Sequence, residues 1–172
     1  MVKIIWLLFI SLNLFAKVEP PNYDFSLDNL KDFMPGQSLK TLKTKYKYFE
    51  EIKNSGKTQI YKTYVEQIRY KFPIYIQTEG DKLLDFHARL PAYFLHNVFH
   101  QSLVNRLGLQ DRYFANNNHA LYVWKNKDGV RHTYTGACSI TCYPIYYSVS
   151  LIKDKWTGGY KPLTNQYSEI EK

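Results

Sequence analysis

The chain has 172 residues and a formal charge of +8, with 45% hydrophobic and 17% aromatic side chains. Aromatic residues at this density exclude a disordered chain, and the length fits one domain with its own core. Most of the aromatic load is tyrosine, 16 residues against 3 tryptophans. Tyrosine suits half-buried strands and wet binding surfaces, because its ring packs while its hydroxyl stays hydrated.

Residues 1–16 read as a secretory signal peptide. Lys3 gives a basic start, an apolar run begins at Ile4 and closes near Ala16, and Pro20-Pro21 cannot continue a membrane helix. The run is shorter than the ~20 residues a membrane helix needs. The expected address is periplasmic or secreted, with no transmembrane segment in the mature chain. A basic exported protein is expected to meet anionic cell-envelope polymers, lipid headgroups, acidic glycans or a partner protein, and not nucleic acid.

Residues 17–37 read as an irregular leader broken by Pro20, Pro21, Pro35 and Gly36, with a short helix at 26–33 capped by Ser26. A single domain is expected over 38–154, followed by a polar C-terminal tail at 155–172. Leu39, Leu42, Tyr46 and Phe49 recur every three or four positions and predict a helix over 38–54. Lys40, Lys43, Lys45, Lys47 and Lys53 give that stretch a solvated basic face. From Ile68 to Ile76 the period changes to two, which predicts a strand. Pro73 lacks a backbone donor and makes that strand an expected edge. With the Glu79-Gly80-Asp81 turn and the alternation of Leu84, Phe86, Ala88 and Leu90, a hairpin is expected over 66–90.

Pro91 and a 3.6-residue period predict a helix over 92–107, ended by Gly108. A second hairpin is expected from His119–Lys125 and Val130–Cys138 around Asn126-Lys127-Asp128-Gly129. Ile145, Tyr147, Val149 and Leu151 predict a further strand. The fold class these elements imply is α+β: a small antiparallel sheet built from two β-hairpins packed against a central helix, with an N-terminal helical segment.

Chemistry-bearing residues cluster in the second half. His96 and His100 share one helix face, a spacing that lets two imidazoles reach one metal ion. It is similar to the metal-binding helix of zinc peptidases, but Asn97 stands where those enzymes place their general base. The same two histidines also fall beside Leu103 and Leu107 in the apolar stripe, the place of hydrogen-bonded core histidines. Cys138 and Cys142 are the only cysteines, and in an oxidising compartment one Cys138–Cys142 disulfide is expected. Residues four apart in a continuous strand are roughly 13 Å apart, while a disulfide needs about 7 Å. Pairing therefore needs a sharp bend, which Gly136 and Pro144 permit; unpaired thiols or metal ligation are the alternatives. The Cys-x-x-x-Cys spacing before Tyr143-Pro144 is similar, over fewer than ten residues, to the copper-site motif of Sco-type copper chaperones. That family places the motif early in a thioredoxin fold, and no βαβ pattern surrounds it here.

In the second hairpin, a two-residue turn would set His119 opposite Cys138, and a longer bulged turn would set it opposite Gly136. Either register brings an imidazole near a thiol, an arrangement that lowers the thiol pKa. Asp85 and His87 share the polar face of the first hairpin and form a candidate acid–base pair.

Two functional readings follow. In the first, His96, His100, His119, Cys138 and Cys142 form a transition-metal site for zinc or copper, or Cys138 and His119 a thiol site, acting on envelope material. In the second, the chain is a non-catalytic, basic, Tyr-rich envelope protein that binds a glycan, a lipid headgroup or a partner protein. A contiguous tyrosine and lysine surface would favour the second.

Overall fold

A computed structural model describes residues 27–67, 70–90, 96–116, 119–136, 145–155 and 159–166. Residues Leu27–Phe33 wind as a 3-10 helix that buries Leu27, Leu30 and Phe33. Helix α1, Leu39–Lys45, starts at Ser38, whose hydroxyl accepts from the Thr41 N–H. The Asp81 carboxylate accepts from the Ser38 hydroxyl and from the Lys40 N–H, both at 2.8 Å. An acid at a helix N-terminus also suits the dipole there.

The helix expected over 38–54 ends at Lys45. Tyr46 is already extended, with φ −109° and ψ 127°, and its ring packs on Phe33 at 4.9 Å. Phe49 packs on Tyr61 at 6.4 Å. The apolar spacing that read as a helix stripe is thus shared between one short helix and the segment 46–49 that leads into the first strand.

Among the described residues eight strands follow: β1 Glu50–Asn54, β2 Thr58–Gln67, β3 Tyr70–Glu79, β4 Lys82–Leu90, β5 Arg112–Asn116, β6 His119–Lys127, β7 Val130–Thr135 and β8 Ile145–Leu151. They form one antiparallel sheet in the order β1-β2-β3-β4-β8-β7-β6-β5. This overturns the expected small sheet of two hairpins on a central helix. The hairpins exist, but β4–β8 and β7–β8 pairing fuses them into one sheet, and β1, β2 and β5 extend it at both ends. Helix α2, His96–Leu107, packs on this sheet and does not organise it. As expected, α2 stops at Gly108, which has φ +76° and donates its N–H to the Val104 carbonyl. Pro73 does not mark an edge either, since β3 lies between β2 and β4. The ladder to β4 begins at Ile74, one residue beyond the proline, so at Pro73 itself the strand pairs only with β2.

Two hairpin turns carry the expected chemistry. Asp128 (φ +53°) and Gly129 (φ +80°) sit between paired Lys127 and Val130, the positive-φ pair of a type I′ turn. Gly80, at φ +57°, leads the Gly80-Asp81 turn between Glu79 and Lys82.

Strand alternation sorts side chains onto two faces. The helix face carries Ile74, Ile76, Phe86, Ala88, Tyr147 and Val149, buried under the 3-10 helix, α1 and α2. The opposite face, called the tail face, carries Tyr75, Gln77, Asp85, His87, Ser148 and Ser150. It is crossed by residues 159–166, where Tyr160, Pro162 and Leu163 are buried. Among the described residues, no helix is long and apolar enough to cross a membrane.

Candidate functional site

The residues singled out for metal or thiol chemistry do not converge in the described part of the chain. His100, on α2, lies half-buried on the helix face, its ring 4.2 Å from Tyr122 and 6.5 Å from Tyr134. His119 opens β6, exposed and paired with Asn116. Alternation sets it with Leu121 and Val123 on the tail face, opposite to Tyr122 and His100. The hairpin register adds to this separation. A two-residue turn is combined with an irregularity between Trp124 and Lys127, so Leu121 faces Thr135 and the Gly136 N–H reaches the Ala120 carbonyl. That register matches neither of the two expected for His119. Cys138, Cys142 and the His96 side chain lie outside the described residues, and with them the disulfide and the remaining metal ligands. Among the described residues no three His, Cys, Asp or Glu side chains gather as a metal-binding group.

Asp85 and His87 share the tail face as expected, yet each is bound elsewhere. The Asp85 Oδ2 accepts from the Tyr160 hydroxyl at 2.9 Å and from the Leu163 N–H at 2.7 Å. Its Oδ1 is buried with no hydrogen-bond partner among the described residues. Burial pushes the Asp85 carboxyl up to about 7, against the pull of those two donors. The His87 Nδ1 and the Ser148 hydroxyl share a 2.6 Å hydrogen bond, and Tyr146 stacks on the imidazole at 5.1 Å. Burial lowers the His87 pKa to about 4, so this imidazole is neutral. Serine, histidine and aspartate are all present, but the aspartate orients the tail segment and not the imidazole. The geometry is one of anchoring, with no nucleophile–base–orienter relay.

A different constellation is open to solvent. On the tail face of β1–β3, Tyr64 lies at the centre of a patch of rings and ammonium groups. Tyr48 packs on it at 5.4 Å. The Lys62 and Lys71 ammonium groups sit 5.6 Å and 5.0 Å from its ring centre, and Lys62 is also 5.8 Å from the ring of Tyr75, which is itself buried against Leu163. These are cation–π distances. Two acids border the patch: Glu50 accepts from the Tyr48 hydroxyl at 2.7 Å, and Glu66 pairs with Lys71 at 3.1 Å. Burial works against the charge of Lys62, but Tyr64, Tyr75 and Glu50 outweigh it and hold the ammonium above the ordinary lysine value.

The sequence reading missed this patch because it assigned no strand to 58–67. Once Thr58–Gln67 is a strand, Lys62 and Tyr64 fall on one face, and their pairing with Tyr75 and Pro73 follows from the ladder. The signal was the alternation itself, with Tyr61, Thr63 and Val65 taking the other face. No known protein family, curated protein or solved structure matches the chain.

Proposed function

We propose that this chain is an exported, non-catalytic binding protein whose tail-face tyrosine and lysine patch holds an anionic glycan of the cell envelope. The observation that carries the reading is the cluster of Tyr48, Lys62, Tyr64 and Lys71 on one solvent-facing surface, with Tyr75 buried at its border. Tyrosine faces offer flat apolar area to the C–H faces of sugar rings. Lysines that now lie over those rings can swing to carboxylate or sulfate groups and leave the rings free to stack. The formal charge of +8 favours the approach of an anionic chain. Export rests on the basic, apolar and small-residue pattern of residues 1–16.

Titration calorimetry with sodium alginate, and with neutral dextran as control, tests the reading. The mature chain should bind alginate, more weakly as salt rises, and dextran far less. Removing both lysines (Lys62→Ala with Lys71→Ala) should weaken alginate binding by about tenfold, the sum of two exposed charge contacts. Failure to bind alginate or any other polyanionic glycan, or binding untouched by the double change, would overturn it.

A further inference from the structure

The sheet has two ends, and both terminal strands are five residues long: β1 at one edge and β5 at the other. An edge strand presents a row of backbone N–H and C=O groups that can pair with another chain. Among the described residues, the large apolar side chains left exposed are Tyr48 (47%), Ile52 (36%), Leu109 (77%), Tyr113 (53%) and Phe114 (53%). All five lie on or beside these two strands.

The two edges carry opposite charges at Glu50 and Arg112. Glu50 and Glu51 open β1, whereas β5 opens with Arg112 and contains no acid. Eight alternating strands leave β1 and β5 antiparallel to one another, so β5 of one copy set against β1 of the next continues the antiparallel order. The register that pairs Arg112 with Glu50 also pairs Tyr113 with Phe49 and Phe114 with Tyr48. Side-chain faces agree in all three pairs. Glu50 is paired with Lys62, and Tyr48 packs on Tyr64, both on the tail face. Arg112 and Phe114 are paired with Val123 and Leu121 on that same face. Phe49 packs on Tyr61 and Tyr113 on Tyr122, which places both on the helix face. A slip of one residue would set every side chain against the wrong face.

We propose that this chain self-associates head to tail, the β5 edge of one copy pairing with the 48–50 segment of the next to extend the sheet. Such a contact uses two different surfaces and leaves one of each free, so it builds open rows and not a closed pair. The irregularity at Ile52, between paired Glu51 and Lys53, limits the shared ladder to a few residues. Association is therefore expected to depend strongly on concentration.

Sedimentation velocity of the mature chain without any glycan reads this contact apart from ligand binding. The average sedimentation coefficient should climb steadily with concentration. Arg112→Glu and Glu50→Arg should each move that climb to about tenfold higher concentration by setting like charges opposite one another. The double reversal should bring it back. Phe114→Lys should abolish it, with circular dichroism confirming an intact fold at this exposed position. A monomer at every concentration overturns the proposal. So does an association that the single reversals leave untouched, or one that the double reversal fails to restore, which would mean a β5–β5 pair or another contact.

Discussion

Asp85 brings an ionisable carboxyl into the interior, and its environment makes stability depend on pH. An acid that holds its proton more tightly folded than unfolded stabilises the fold at low pH. That contribution fades as pH rises from the ordinary aspartate value of 3.8 through about 7. His87 and His132 work in the opposite sense. Burial lowers both to about 4 from 6.5, so their contribution is full above 6.5 and is lost as pH falls toward 4. The wild-type profile mixes these slopes, and Asp85→Asn isolates one of them. The amide keeps an oxygen for the Tyr160 and Leu163 donors but cannot ionise. Between pH 5 and pH 8 the variant should gain on the wild type by on the order of 2 kcal/mol in urea unfolding. A difference that stays constant with pH would show that this carboxyl does not titrate there. Alternation along the first hairpin was enough to place Asp85 and His87 on one face. That the face is covered was not legible, because the covering donors lie 75 and 78 residues further along the chain.

At the scale of elements, the readable signals were local ones with their own backbone chemistry. Gly108 as a helix stop, Asp128-Gly129 and Gly80-Asp81 as turns, and the 145–151 strand all follow from residues that leave the backbone little choice. Strand β2 escaped because its polar and apolar residues alternate around lysine, threonine and tyrosine. Those side chains cover buried surface with their stems and rings while keeping polar tips in water. The docking of α2 was likewise written in a distant residue. Trp124 on β6 is fully buried, and its indole N–H donates to the Gly108 carbonyl at 2.8 Å, tying the end of α2 to the sheet. Trp124→Phe removes that bond, leaves a carbonyl short of a partner and opens a small void. The expected loss is about 2–3 kcal/mol, measured from urea unfolding midpoints. A loss below ~0.5 kcal/mol, the range of surface substitutions, would mean the indole does not hold the helix end.

Across the whole molecule, a helix followed by a four-stranded meander occurs twice: α1 with β1–β4, then α2 with β5–β8. The two meanders meet through their last strands, β4 and β8. No repeat is visible in the sequence, because only the order of elements recurs and the residues that fill it differ. The candidate site was less legible than the fold for a related reason. The tyrosines and lysines were countable from the start, but their gathering on one face needed the β2–β3 ladder, a pairing that sequence period alone does not specify. The seam between the halves decides whether they behave as one unit. Phe86 and Ala88 on β4 and Val149 on β8 are fully buried, and Tyr147 nearly so, on the helix face. Asp85, His87, Ser148 and Ser150 are buried on the other face of the same strands. A seam shielded on both faces can open only when both halves do, whereas β1 and β5 can fray alone. Native-state hydrogen exchange should therefore find the slowest amides on β4 and β8 and the fastest strand amides on β1 and β5. The β4 and β8 amides should share one opening free energy equal to that of global unfolding. Protection of β1–β4 and β5–β8 lost at separate denaturant concentrations would show instead that the two meanders are independent units joined by a weak seam.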